Sequence, residues 1–245
     1  MFPLRDNIPT DRTPVVTLAL IAANVIVYLF WQKGGLSLGS PETVTSGHLT
    51  AYGQNLADYG LFPCNLTDQC QVGQPNEWLT PLTAMFMHGG LLHLGGNMLF
   101  LWIFGNNVED SMGPVRFLLF YLLAGVAAFA LQIAINPGSE IPNIGASGAV
   151  AGVLGGYILL YPRARVLTLI FVVLFFTVIE LPALIVLGLW FAEQVVFGAS
   201  GLAHGGVEGG GVAYFAHIGG FAFGLLAIKL FAQRVKAAPP RLPAF

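Results

Sequence analysis

The sequence predicts an all-α polytopic membrane protein with six transmembrane helices, and three observations carry that prediction. Of its 245 residues, 56% are hydrophobic and only 9% are charged, against about 25% charged in a typical soluble domain. The apolar residues gather in six runs, at 15–31, 88–105, 115–135, 147–161, 183–198 and 213–232. Basic residues fall almost wholly on one side of these runs. With the N-terminus inside, nine of the ten Lys and Arg are cytoplasmic, Lys33 being the exception.

Taken in order, Met1 to Pro14 is polar, carries Arg5 and Arg12, and reads as a cytoplasmic tail, 1–14, rather than a cleaved leader. The membrane domain follows over 15–232, and 233–245 reads as a cytoplasmic C-terminal tail ending in Pro239, Pro240 and Pro243. Between the first two runs lies a large polar, glycine-rich outer loop, 32–82. It holds both cysteines. Cys64 and Cys70 form a small disulfide ring if the loop faces an oxidising compartment, or stay as two free thiols. Residues 164–198 are too long for one span and just long enough for two. A seventh crossing would put the C-terminal basic cluster outside and invert the last helix. The stretch 166–181 is therefore expected to be interfacial or re-entrant, broken at Glu180-Leu181-Pro182 and followed by one span.

Two polar residues stand out against this background. Ser147, in Gly145-Ala146-Ser147-Gly148, opens the fourth run, and His217, in Ala216-His217-Ile218-Gly219-Gly220, lies in the sixth. Ser147 precedes Tyr161-Pro162-Arg163 by a length worth roughly 22 Å of helix, and His217 precedes Lys229 and Arg234 by about 18–26 Å. Both runs go from outside to inside, so the two side chains share a layer near the outer leaflet. Gly148, Gly152 and Gly156 recur every four residues on one helix, and Ala216, Gly220 and Gly224 on the other. Small residues at that spacing allow close backbone approach in lipid.

This pairing points to nucleophilic catalysis. A serine hydroxyl needs a base to take its proton, and imidazole is the natural one near neutrality. Ser147 begins its helix, so free backbone N–H groups and the helix dipole face an anion formed there. On the second run, His93 and Asn97 are one helical turn apart and share a face, where both can donate to an oxyanion. His88, nearer the water, is expected to hold the loop or a water molecule. No carboxylate lies at the right depth to orient His217, Glu193 being the nearest, so a Ser–His dyad is expected rather than a triad. A zinc site of His88, His93 and His217 is disfavoured, because His88 and His93 do not share a face and neither cysteine lies in a span.

Gly145 through Gly148, His88 through Asn97, and Ala216 through Gly220 together resemble the rhomboid intramembrane serine proteases. Gly105-Asn106-Asn107-Val108-Glu109-Asp110-Ser111-Met112-Gly113 is similar to the turn after the second span in that family. The resemblance runs from about Trp78 to Phe231. It implies a six-transmembrane-helix rhomboid-like bundle, with Ser147 as nucleophile and His217 as general base. Asn97, His93 and the Ser147 backbone would line the oxyanion hole, and Glu109 would cap or pair at the cytoplasmic turn. It implies cleavage of transmembrane protein substrates near the outer face, without cofactor or metal, in a cell membrane with both termini cytoplasmic. Span five and the 198–212 loop would form the gate and cap. The bilayer is the expected surrounding partner, nucleic acid is not a partner, and the oligomeric state is open.

Two positions depart from the family pattern. Trp78 is followed by Leu79 where many members have Arg, and Ala151 stands where some carry an aromatic that stacks on the histidine. Something else must then hold His217. The competing readings are a catalytically silent rhomboid-like protein that binds membrane clients, and a channel or transporter. The first usually lacks the serine or the histidine. The second usually has midplane charges and repeated halves, which this chain does not.

Overall fold

In a chain this apolar, the helix is favoured because it satisfies every backbone N–H and C=O within one segment. A computed structural model describes residues 2–73, 76–172, 175–203 and 212–236. Helix α1 (Val15–Ile26) continues as a π-helical turn through Trp31. The outer loop carries α2 (Ala51–Tyr59), α3 (Pro63–Leu66) and α4 (Thr80–Thr83). Helix α5 (Leu91–Phe100), a π segment over Leu101–Gly105 and α6 (Asn106–Met112) follow one another without a break. Gly113, at φ +85°, ends that run, and Pro114 opens α7 (Pro114–Ile135). Then come α8 (Ser147–Leu160), α9 (Ala183–Ala203) and α10 (Tyr214–Phe231). Among the described residues, α7, α9 and α10 are long and apolar enough to cross a membrane, while Val15–Trp31 and α8 are shorter apolar helices.

The small-residue stripes form the central seam. Gly148 and Gly152 of α8 sit against the Cβ atoms of Ala128 and Ala124 on α7. Gly220 and Gly224 of α10 rest on the carbonyl oxygens of Gly148 and Gly152, so that a Cβ at either position would overlap them. The two pairs ascend together, which means that α8 and α10 run parallel. Their N-terminal ends, bearing Ser147 and His217, therefore meet. Helix α8 is buried from Gly148 to Ile158 and is the centre of the bundle. Fully buried Phe104, Tyr121 and Tyr157 fill the lower part of the same core.

Glu109, on α6, is a cap in trans. Its Oε1 accepts from the Val16 N–H (3.0 Å), and its Oε2 accepts from the Thr17 N–H (2.8 Å) and hydroxyl (2.7 Å). Those are first-turn donors of α1, which have no partner inside their own helix.

The all-α expectation is corrected by two small sheets. Strands β1 (Phe2–Asp6), β4 (Arg165–Val172) and β5 (Phe175–Pro182) form an antiparallel sheet in the order β1-β4-β5. In the outer loop, β2 (Val44–Thr45) and β3 (His48–Leu49) make a two-residue hairpin. Its Ser46 and Gly47 both have positive φ, as a tight hairpin turn requires. The segment 166–181, expected to be interfacial or re-entrant, is thus a β-hairpin. Its Val, Ile, Thr and Phe favour strand, and a run apolar on both faces gives no period to tell strand from helix. Residues 2–6 of the expected tail form an edge strand, pairing Phe2 with Leu169 and Asp6 with Val166. Cys64 and Cys70 are joined in a disulfide.

Candidate active site

Because α8 and α10 touch backbone to backbone, the Ser147 Oγ lies 2.8 Å from His217 Nε2. The other imidazole nitrogen, Nδ1, is 2.8 Å from Gln194 Oε1 on α9. The Gln194 amide N–H donates to the Trp190 carbonyl at 3.1 Å, which leaves Oε1 as the acceptor. That assignment puts the His217 proton on Nδ1 and leaves Nε2 free to accept from the serine. The Trp190 ring lies beside the imidazole, with centroids 5.7 Å apart. Trp190 and Gln194 are four residues apart on α9 and so present one face to His217.

Sequence reasoning missed both partners. It looked to Glu193, which is exposed, while its neighbour Gln194 is buried and makes the contact. A buried-type amide one turn after a tryptophan, in an otherwise apolar helix, was the available signal. The need left by Ala151 is met from α9 rather than from α8. A second glutamine fixes the head of α10: Gln132 Oε1 on α7 accepts from the Ala216 N–H at 3.1 Å.

The expected oxyanion donors converge on the turn before Ser147. The Gly89 N–H donates to His93 Nδ1 at 3.2 Å, so Nδ1 is the acceptor and the ring's proton sits on Nε2. That edge faces Gly145, where a Cβ would lie 2.8 Å from Nε2 and Cε1. Gly145 has φ +120°, a conformation that glycine alone adopts readily. Asn97 Nδ2 is buried without a hydrogen-bond partner among the described residues, and it lies 3.7 Å from the same point. A buried unpartnered donor costs about 1–3 kcal/mol. Here it faces the Gly145 turn, on the same side as the His93 ring.

His88 is fully buried rather than near the water. Its backbone is clamped by Gln32, which donates to the His88 carbonyl and accepts from its N–H, both at 2.8 Å. Its Nε2 faces the Ala146 N–H at 3.5 Å and supports the serine turn from below. His88 and His93 adjoin, with ring centroids 5.1 Å apart. Among the described residues no group of three or more His, Cys, Asp or Glu is arranged to hold a metal ion. Of the expected cap, 198–203 completes α9, and 204–211 lie outside the described residues.

Apolar helices joined by small-residue contacts, with a Ser–His pair at the head of the innermost two, describe a helical membrane protein. More particularly, the chain belongs to the rhomboid family, whose domain matches residues 75–234. It is 33% identical over 149 residues to the mitochondrial rhomboid protein 1 of Saccharomyces cerevisiae, covering 58% of this chain and 39% of the yeast protein. It is 33% identical over 142 residues to the rhomboid protease GluP of Bacillus subtilis, covering 58% and 24%. With the chloroplastic rhomboid-like protein 11 of Arabidopsis thaliana it shares 30% identity over 159 residues, covering 64% and 53%. The chain thus spans between about a quarter and a half of the length of these relatives.

Proposed function

We propose that this chain is an intramembrane serine endopeptidase that hydrolyses transmembrane protein substrates near the outer face of the bilayer. The observation that carries the reading is the Ser147–His217–Gln194 relay, with 2.8 Å at each link. In the reaction, Ser147 Oγ attacks the substrate carbonyl carbon as its proton passes to His217 Nε2. The resulting oxyanion takes hydrogen bonds from Asn97 Nδ2, His93 Nε2–H and the Ser147 N–H, each worth about 3–4 kcal/mol in such sites. The C–N bond then breaks, and the His217 proton goes to the leaving amine. Water, deprotonated by the same nitrogen, hydrolyses the acyl-serine and regenerates the enzyme. No cofactor enters.

The same reading assigns six membrane crossings, to Val15–Trp31, the run from Leu91 to Met112, and α7 to α10. It puts residues 1–14 and 233–245 on the cytoplasmic side of a cell membrane. Membrane residence is supported by the apolar helices and by the one-sided basic residues.

The test compares purified wild type with Ser147→Ala on a tagged transmembrane reporter in proteoliposomes. Cleavage by wild type that disappears in the variant is the expected result. Equal cleavage by both would refute Ser147 as nucleophile. A reporter that co-purifies with wild type but is never cut would favour the client-binding alternative.

A further inference from the structure

The hairpin β4–β5 presents a surface that water does not suit. From Thr168 to Ile179 it has no charged residue, and only Thr168 and Thr177 are polar. Yet Phe171 is 60% exposed, Phe175 79% and Phe176 72%. Phe2, on the adjoining β1, is also exposed and packs edge-on against Phe171, with centroids 6.2 Å apart. An exposed aromatic cluster on a sheet with unpaired outer edges marks a contact surface. The charges collect at the opposite end of the hairpin, where Arg5, Asp6, Arg165 and Glu180 line a cavity of about 390 Å³ and Arg163 is exposed beside it.

Two features identify what covers this surface. Strand β5 ends at Pro182, and α9, a helix long and apolar enough to cross a membrane, begins at the next residue. The sheet therefore stands where α9 meets the membrane boundary. Its division into an uncharged aromatic tip and an arginine-bearing base also matches a lipid leaflet, with acyl chains beneath phosphates.

We propose that the β1-β4-β5 sheet is an interfacial membrane anchor, with its tip in the acyl boundary and Arg5, Arg163 and Arg165 at the phosphates of anionic lipids. This rests on the membrane-spanning reading given above. The unpaired backbone of the outer edges of β1 and β5 cannot enter dry hydrocarbon. Penetration is therefore limited to roughly 5–10 Å, as for other interfacial elements.

Site-directed spin labelling tests the anchor in the full chain. Phe175→Cys reports on the tip, and Val126→Cys, at an exposed position midway along α7, is the bilayer reference. Cys64 and Cys70 are already paired and do not compete for label. In nanodiscs of phosphatidylcholine and phosphatidylglycerol, collisions with oxygen are compared with collisions with a water-soluble nickel chelate. The expected oxygen-to-nickel ratio at 175 is several-fold above that of a label in water and below that at 126. It falls on removal of phosphatidylglycerol or in an Arg5→Gln/Arg165→Gln background. A nickel-dominated signal at 175 with 126 still oxygen-rich would overturn the anchor and leave the spanning reading intact. Collisions with neither reagent at 175 would mean cover by protein, and would also overturn it. Nickel access at both positions would refute the spanning reading itself.

Discussion

Gln194→Ala should slow catalysis by removing a residue that acts only through His217. The amide oxygen holds His217 Nδ1 at 2.8 Å and is itself fixed by the Trp190 carbonyl. Its loss leaves a buried N–H without a partner, which costs about 1–3 kcal/mol. The penalty is greatest in the transition state, where that N–H belongs to an imidazolium. At 1.36 kcal/mol per tenfold, the expected fall in kcat is about 5- to 150-fold. KM should change little. Gln194→Glu retains an acceptor and should recover most of the rate. Initial rates on a transmembrane reporter in proteoliposomes, with Tm as a check on folding, decide the matter. A Gln194→Ala enzyme within twofold of wild type would refute the reasoning.

Three further outcomes are expected. Gly220→Ala sets a Cβ against the Gly148 carbonyl, which must part α8 from α10 at a cost of about 1–3 kcal/mol. Its Tm should drop and its cleavage should nearly vanish; a wild-type rate would mean that the seam does not position the dyad. Glu109→Ala strips three donors of α1 of their acceptor and should destabilise by about 1–3 kcal/mol in thermal unfolding, with kcat below the transition unchanged. Asp6 gives a pH effect on stability. Burial raises its carboxyl from 3.8 to about 6, against the lowering hydrogen bond from Tyr157. Because the folded form holds this proton more tightly, its contribution is fully present below about pH 4 and is lost as pH rises through 6. The difference is on the order of 3 kcal/mol. Asp6→Asn should flatten that slope, and parallel stability curves for the two proteins between pH 4 and 7 would refute it.

What could be read from the sequence followed from helix periodicity. A constant rise per residue put Ser147 and His217 in one layer, and the four-residue glycine stripes did become the α8–α10 seam. His93 and Asn97 do share a face turned toward Gly145 for the same reason. The rotation of α9 about its own axis could not be read. That helix is apolar on all sides, so hydropathy gives it no preferred face, and Gln194 and Trp190 became visible only in three dimensions. The hairpin 165–182 escaped for a related reason. With both faces apolar it shows no alternation, and its partner β1 lies more than 150 residues away. Cysteine spacing left a disulfide and free thiols equally open, and only the fold of the loop brings Cys64 to Cys70.

The enclosure of α8 from Gly148 to Ile158 has a geometric consequence for any peptide that enters from the lipid. With Gly148 through Ile158 walled off by protein, the helix offers an approaching chain only its two ends, and Ser147 lies at the upper one. Under the proposed protease reading, the bundle would work as a depth gauge. A scissile bond one helical turn lower in the substrate, about 5.4 Å, would meet a wall instead of Ser147. Substrate choice would then fall less on side-chain identity than on how high a segment rides, and how readily it uncoils at that height.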